Sequence, residues 1–231
     1  SDIMIPLHIA IDGPVAAGKV DIAPRLAKEL HLTYIYTGAM YRMLALACIE
    51  KHISLKDPKR ILSLLNEITI DLVESDPDSP YAYKALLNGK DVSERITQHD
   101  TAMGASDVSS VPEVRVFMIR CQQELAQGKR VVMEGRDIGL RVLPHAQLKI
   151  YLTASLEERA KRRWLQWQEK GIEKTLEEVI EDTRQRDTQD MTRAKDPLQK
   201  LPDAWELDTT NMAQDEVVSQ IKTELKKRNL L

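Results

Sequence analysis

A glycine-bearing loop between a short strand and a helix constrains this chain more than any other feature. The run Leu7–Ile11 is apolar and β-rich, and an apolar helical stripe begins at Val20. The loop between them contains Gly13, Pro14, Val15, Ala16, Ala17, Gly18 and Lys19. Glycines let the backbone curl so that N–H groups face phosphate oxygens, and the helix N-terminus adds its positive dipole end. This order predicts a phosphate-binding loop rather than an ordinary strand–turn–helix junction, with Lys19 adding a full charge.

The residues after the lysine depart from the usual pattern. Val20 stands where a Ser or Thr hydroxyl normally helps to hold Mg²⁺ beside the nucleotide, and valine cannot bind a metal. Asp21 then places a carboxylate where phosphates should approach. It could repel ATP, or it could recruit Mg²⁺ in place of the missing hydroxyl, because hard cations favour carboxylate oxygens. The sequence leaves both interpretations open.

Strands and helices alternate along much of the chain. Further strands are predicted at Thr33–Tyr36, Val131–Met133, Leu148–Leu152 and Trp205–Asp208. Alternation of this kind predicts an α/β fold with a parallel, five-stranded core sheet. Two alternating runs in the middle, followed by the turn signal Asn88-Gly89, predict a small antiparallel sheet at about 68–96.

Composition and charge exclude several classes of protein. The 231 residues are 42% hydrophobic and 30% charged, as expected for a soluble globular domain. A net charge of −3 argues against nucleic acid as a partner. No apolar run approaches the ~18 residues that span a membrane, and no secretory signal is evident. Cys48 and Cys121 are interpreted as reduced thiols, so a cytoplasmic protein is expected.

Five motifs in order resemble those of the bacterial cytidylate kinases. They lie at Ile9–Lys19, Thr37–Arg42, Glu134–Gly139, Glu157–Arg163 and Arg186–Leu198. The resemblance implies a three-layer P-loop kinase fold forming one domain over residues 4–231. Its core would be 4–36 and 128–231, with a nucleoside-monophosphate-binding insertion at about 37–127 and a short helical lid at about 155–171. The implied reaction transfers the γ-phosphoryl group of ATP, bound with Mg²⁺, to CMP or dCMP, in a monomer.

The resemblance also implies a role for each matching residue. The catalytic set would be Lys19, Arg136, Asp137, Arg159, Arg162 and Arg163. The ATP-binding set would be the loop Gly13–Lys19 with Val20 and Asp21. Thr37, Arg42, Arg136 and Arg193 would hold the acceptor monophosphate. Ser106, Arg115 and Asp137 would read cytosine, and Arg186 and Asp190 would contact the sugar.

Simpler interpretations exist for several of these residues. Thr37 could cap the following helix, and Arg115 could be a surface residue. Asp190 and Arg193 could form a local i,i+3 ion pair. The lid arginines could belong to a solvated helix face paired with Glu157 and Glu158.

Departures from the family pattern cluster near the expected ATP and metal region. They are Val20, Asp21, Tyr36, Leu140, Arg141 and His145. They suggest a protein that binds cytidine monophosphate but handles Mg-ATP poorly. Two other functions are kept as alternatives: a nucleotide-binding pseudokinase, and a P-loop kinase for another small acceptor.

Overall fold

The computed structural model describes residues 6–231, so the expected domain start at Met4 lies outside the described residues. The strands are β1 (His8–Asp12), β2 (Thr33–Tyr34), β3 (Ile70–Glu74), β4 (Tyr83–Leu87), β5 (Lys90–Asp91), β6 (Val131–Gly135), β7 (Leu148–Thr153) and β8 (Trp205–Asp208). The helices are α1 (Lys19–Leu30), α2 (Thr37–Glu50), α3 (Pro58–Leu65), α4 (His99–Ser109), α5 (Pro112–Ala126), α6 (Leu156–Glu169), α7 (Leu176–Thr192) and α8 (Gln214–Lys227).

Five strands form a parallel sheet in the order β2-β6-β1-β7-β8. Ile9 of β1 lies opposite Leu148 of β7, and Ile150 of β7 lies opposite Trp205 of β8. The strands β1 and β7 are buried almost throughout, as the continuous apolar runs predict for a parallel sheet. The expected α/β fold with a parallel five-stranded sheet is therefore confirmed.

The strands β3, β4 and β5 form a separate antiparallel sheet. Asn88 and Gly89 both adopt positive φ, 52° and 79°, in the two-residue turn between β4 and β5. This is the backbone geometry that an Asn-Gly hairpin turn requires. The Asn88 side chain also accepts a 2.8 Å hydrogen bond from the N–H of Thr69, which ties the turn to the residue before β3.

The chain divides into two compact units, the first containing Pro6 and Ala27–Val132 and the second Leu7–Leu26 and Met133–Leu231. In the first unit, α2 is buried along most of its length and packs closely against α4. A Cβ atom at Gly104 of α4 would lie only 2.8 Å from the Cβ of Ala45, so the two helices need glycine at this position. In the second unit, β1 and β7 supply the centre of the core.

The helices α6 and α7 begin with the same capping arrangement. The hydroxyl of Ser155 accepts from the N–H of Glu158, and the hydroxyl of Thr175 accepts from the N–H of Glu178, each at 3.1 Å. Both are Ser/Thr-x-x-Glu sequences, which favour a helix start at that point. Within residues 6–231, no helix has both the length and the apolar character to cross a bilayer.

Candidate active site

The phosphate loop, residues 13–19, curls tightly between β1 and α1. A Cβ atom at Gly13 would lie 1.9 Å from the carbonyl oxygen of Leu152, so only glycine fits against the end of β7. Ala16 adopts a left-handed φ of 60°, and Gly18 has a φ of 110°. Ala16 is a non-glycine residue in a conformation that costs about 1 kcal/mol, which is typical of loops held in shape by their surroundings.

Side-chain donors hold the carbonyl groups of this loop. Lys19 Nζ donates to the oxygens of Gly13 and Pro14, at 2.6 and 2.9 Å. The next three carbonyls accept from Arg159 (Val15, 3.4 Å), Arg162 (Ala16, 3.1 Å) and the Thr209 hydroxyl (Ala17, 3.0 Å). Within residues 6–231, the N–H groups of Val15, Ala16 and Gly18 have no protein acceptor. The loop therefore presents free backbone donors, which is the chemistry of an anion-binding nest.

Lys19 is buried in this arrangement, with 5% of its surface exposed. Burial lowers the pKa of its ammonium group to about 8, and the positive charge of Arg136 acts in the same direction. The carboxylates of Glu134, Asp12 and Asp190 oppose this shift. The lysine is therefore a cation near neutral pH but sits close to its titration point.

The loop opens onto a cavity of about 620 Å³ in the second unit. The cations that line it are Lys19, Arg136, Arg162, Arg163 and Arg186. Apolar side chains line another part of the wall, namely Leu165, Trp167, Met212 and Val217. Burial lowers the pKa of Arg186, and the charges of Arg136 and Arg163 add to the effect. A cavity with this excess of positive charge and an apolar wall suits a polyanion that carries a ring.

The three arginines of α6 make different contacts. Arg159 donates from Nε to the carbonyl of Ala154 at 2.9 Å and forms a bidentate pair with Asp187. Arg163 donates to the Thr183 hydroxyl and to Asp182, at 2.8 and 2.7 Å, and covers the Trp167 ring at 4.9 Å. Arg159 and Arg163 are only 5% and 7% exposed. The interpretation of a solvated face is therefore wrong for these two residues, because both are buried and their carboxylate partners lie on α7.

Arg162 lies between the phosphate loop and the end of β8. Its guanidinium donates to Ala16 O and to the hydroxyl and carbonyl oxygens of Thr209, the last at 2.8 Å. It also forms an i,i+4 ion pair with Glu158 at 3.4 Å. It is the one predicted lid arginine for which the local glutamate pairing holds in the described residues.

Four further predicted residues of the second unit come together at the end of β6. Arg136 Nε donates to Asp190 at 2.8 Å, across 54 residues of sequence. Arg193 lies 3.7 Å from Asp137 and donates from Nε to the carbonyl of Asp196 at 2.6 Å. The alternative interpretation of Asp190 and Arg193 as a local ion pair is wrong, because Asp190 pairs with Arg136 and Arg193 lies beside Asp137. The arginines are instead held by carboxylates from distant sequence.

The remaining predicted residues lie in the first unit. Thr37 is the first residue of α2, but Tyr36 occupies the N-cap position, so the helix-cap interpretation of Thr37 is wrong. Arg42 lies in α2 and donates to the carbonyl of Ile96 at 3.5 Å. Ser106 is exposed on α4, the helix that packs against α2. Arg115 is exposed near the start of α5.

Comparison with known proteins decides the family. The family model described as Cytidylate kinase matches residues 9–227. The chain belongs to the cytidylate kinase family. It is therefore a phosphotransferase, and the resemblance inferred from five motifs is confirmed.

Relatives match this member of the cytidylate kinase family over nearly its whole length. The cytidylate kinase of Caldicellulosiruptor bescii is 44% identical over 220 residues, which cover 94% of this chain and 95% of that relative. The cytidylate kinase of Caldanaerobacter subterraneus subsp. tengcongensis is 44% identical over 225 residues, or 97% of each chain. A solved structure of an uncharacterized protein from Eubacterium ventriosum, 10% identical, aligns with 95% of this chain and 98% of its own, with a TM-score of 0.53. That last likeness is one of fold alone.

The departures from the cytidylate kinase pattern have identifiable surroundings. Val20 is 60% exposed and lines the cavity together with Asp21. Tyr36 stacks on Tyr34 with ring centroids 5.7 Å apart and also contacts Tyr83. Its ring covers Gly38, where a Cβ atom would lie 2.6 Å from it. The tyrosine thus has a packing role, whereas the valine exposes apolar surface beside the phosphate loop.

The donor groups of the cavity are compatible with a nucleotide-bound Mg²⁺. Within residues 6–231, no cluster of three or more His, Cys, Asp or Glu side chains could hold a metal. The cavity wall does carry two carboxylates, Asp21 and Glu134. Mg²⁺ in nucleotide sites takes one or two carboxylates, with phosphate oxygens and water completing its shell. These residues therefore fit an ion that arrives with the nucleotide.

Two residues of the site were missed by sequence reasoning. Asp12 accepts hydrogen bonds from the N–H groups of Ile138 and Gly139, at 2.8 and 2.9 Å, and so fixes the turn that carries Asp137. Burial raises the pKa of the Asp12 carboxyl to about 6. Its signal in the sequence is a charged residue at the end of a buried strand. Thr209 contacts both the loop and Arg162, and its signal is the hydroxyl pair that follows the last strand.

Proposed function

We propose that the protein transfers the γ-phosphoryl group of ATP to CMP or dCMP, giving CDP or dCDP. The observation that carries the proposal is the phosphate loop, with its unpaired N–H groups and Lys19, in one cavity with four arginines. The family of the chain supports the nucleotide class of both substrates. No observation favours either alternative function over this one.

The donor phosphates would bind to the loop. The N–H groups of Val15, Ala16 and Gly18 would donate to phosphate oxygens, as in other anion-binding nests. Lys19 would exchange its bonds to Gly13 and Pro14 for bonds to phosphate, which adds a full charge in a buried place. The adenine base of ATP would then contact the apolar wall that includes Trp167.

The arginines would neutralise charge on the transferring group. In-line phosphoryl transfer needs positioning and electrostatic stabilisation rather than a protein nucleophile. Arg136, Arg162 and Arg163 border the cavity, and they would provide this stabilisation. Arg159 is engaged by Asp187 and the loop, so it would hold the loop and α6 in position. Mg²⁺ bound with ATP would add further charge neutralisation, held by Asp21 and Glu134.

The acceptor nucleotide would bind to the residues that the family resemblance assigns to it. A guanidinium group can bind two phosphate oxygens through parallel hydrogen bonds. Arg42, Arg136 and Arg193 would bind the acceptor phosphate in this way, together with the Thr37 hydroxyl. Asp137 would accept from the exocyclic amine of cytosine, with Ser106 and Arg115 completing the base contacts. Arg186 and Asp190 would contact the sugar. Residues 37–127 would form the acceptor-binding insertion and 155–171 the lid, in a monomer.

A coupled assay of ADP release with ATP, Mg²⁺ and a panel of acceptors tests the proposal. CMP and dCMP should be phosphorylated, and UMP should be poorer because its carbonyl replaces the amine that Asp137 would accept from. Turnover of AMP or UMP in preference to CMP would overturn the acceptor assignment. Turnover with CMP of about 1–100 s⁻¹, the range of ordinary kinases, would refute an impairment by Val20 and Asp21.

A further inference from the structure

Thr209 is a buried residue whose polar groups contact the phosphate loop, α6 and the end of β7, all in the second unit. It follows β8 and is only 2% exposed. Its backbone N–H donates to the carbonyl of Thr153 at 2.8 Å, which fixes its position at the end of β7. Its hydroxyl lies 3.0 Å from the carbonyl of Ala17 in the phosphate loop.

The hydrogen-bond partners of this hydroxyl decide where its proton lies. The carbonyls of Ala17 and Thr153 are both within reach, at 3.0 and 3.1 Å. The carbonyl of Thr153 already accepts the N–H of Thr209. The N–H groups of Asp21 and Ile22 donate to the carbonyl of Gly18, so they do not satisfy the carbonyl of Ala17. A hydroxyl has a single proton to donate, so Ala17 is the acceptor that depends on it. The lone pairs of the same hydroxyl accept from Arg162 at 3.2 Å.

Holding the Ala17 carbonyl also sets the direction of the next N–H. The peptide unit is planar and trans, so the carbonyl of Ala17 and the N–H of Gly18 point in opposite directions. The Gly18 N–H is one of the loop donors that have no protein acceptor within residues 6–231. Gly18 has a φ of 110° and no side chain of its own to resist rotation of this peptide. The hydrogen bond from the Thr209 hydroxyl to the Ala17 carbonyl therefore fixes the orientation of the Ala17–Gly18 peptide plane.

Thr209 fixes Arg162 as well. Its hydroxyl and carbonyl oxygens accept from the two terminal nitrogens of that guanidinium, at 3.2 and 2.8 Å. Arg162 in turn donates to the carbonyl of Ala16 in the loop. One residue therefore sets the orientation of a loop peptide directly and of a lid arginine at the same time.

We propose that Thr209 is a positioning residue for the donor nucleotide, which orients the Gly18 N–H and the Arg162 guanidinium toward the phosphates of ATP. The inference rests on the proposed function for the identity of the ligand. Thr209 would act through groups that touch the phosphates. Loss of its hydroxyl should therefore weaken ATP binding and leave the affinity for the acceptor unchanged.

The test compares Thr209→Val, which has nearly the same shape but lacks the hydroxyl, with Thr209→Ser, which keeps it. Titration calorimetry with Mg-ATP and no acceptor should give a Kd about tenfold weaker for the valine variant, the value of one hydrogen bond to a charged ligand. The serine variant should stay within about twofold of the parent. In turnover assays, the KM for ATP should rise and the KM for CMP should not.

Thr101→Val provides the matched control. Thr101 is fully buried in the first unit, and its hydroxyl also donates to backbone carbonyls, so it reproduces the general cost of losing a buried hydroxyl. Its ATP affinity should equal that of the parent. Arg162→Met tests whether Thr209 acts partly by orienting Arg162. The loss of ATP affinity caused by Thr209→Val should be smaller in the Arg162→Met background, because the two residues share one hydrogen-bond network.

An unchanged Kd for folded Thr209→Val would overturn the inference, as would a serine variant as weak as the valine variant. If the valine variant is unfolded at the assay temperature, Thr209→Cys gives the same comparison with a weaker donor of similar size. ATP binding is measured without acceptor, so a parent protein that fails to phosphorylate CMP would count against the proposed function alone.

Discussion

The guanidinium of Arg159 and the carboxylate of Asp187 form two parallel hydrogen bonds, of 2.8 and 2.7 Å, between α6 and α7. The side chains are only 7% and 17% exposed. The same guanidinium also donates to the carbonyls of Ala154 and Val15. This pair therefore joins α6, α7 and the phosphate loop, and its two residues are 28 positions apart in the sequence.

Asp187→Asn should destabilise the protein by about 3 kcal/mol, because it leaves a buried guanidinium without its counter-charge. Urea unfolding followed by circular dichroism measures this change. Glu181→Gln is the matched control, since Glu181 pairs with Arg184 on the same helix with both side chains more than half exposed. The control should change stability by less than about 0.5 kcal/mol. Equal losses in the two variants would contradict the prediction.

ATP affinity should fall as the pH rises above about 8, since the pKa of Lys19 is lowered to about 8 by burial. Above that pH the amine loses its charge in the free protein, and phosphate binding favours the charged form. Binding at pH 8 should therefore take up about half a proton. Calorimetry in buffers of different ionisation enthalpy measures this uptake, and Lys19→Met should abolish it. Affinity that is flat from pH 7 to 9 would be inconsistent with this assignment.

Restoring the hydroxyl after the lysine with Val20→Ser should raise kcat with Mg-ATP by about tenfold. The reason is that Val20 exposes apolar surface in the cavity where a metal-binding hydroxyl is expected. Steady-state assays over a range of Mg²⁺ concentrations measure the effect. Val116→Ser is the control, because Val116 is a similarly exposed helical valine outside the cavity lining. A Val20→Ser variant with the kcat of the parent would show that Val20 does not limit the reaction.

The stability conferred by Asp12 should depend on pH between about 4 and 6. Its folded-state pKa is raised from 3.8 to about 6 by burial, so the native state keeps its proton over a range in which the unfolded state loses it. The free energy of unfolding should therefore fall as the pH rises through this window, by up to roughly 3 kcal/mol. Denaturant unfolding of the parent and of Asp12→Asn at several pH values isolates the contribution of the Asp12 carboxyl to the free energy of unfolding.

Asp12→Asn should be less stable than the parent at pH 4, because an amide offers one oxygen to the two N–H groups of Ile138 and Gly139. The difference between the two proteins should then narrow as the pH rises to 6. Stability curves that stay parallel over this range would contradict the raised pKa.

Local features of the fold were predictable from sequence, and the extent of several elements was not. The Asn88-Gly89 turn and the start of α6 at Ser155 follow from short patterns with a direct backbone cause. The sequence pattern after Thr175 predicts a helix from Leu176 to Asp187, whereas α7 continues to Thr192. Its last turns are mostly polar, and the Thr188 and Thr192 hydroxyls donate to carbonyls four residues earlier. These turns therefore show no apolar periodicity from which the end of the helix could be predicted.

The sequence by itself determined the parallel sheet, the phosphate loop and the family, because these depend on apolar runs, glycines and short motifs whose spacing is local. Only the tertiary structure decided which charges face one another. Asp190 pairs with Arg136 rather than with nearby Arg193, and Thr209 reaches Ala17 across 192 residues. Such partners are selected by burial, since a charge or hydroxyl removed from water must be satisfied by whatever group the fold brings near it.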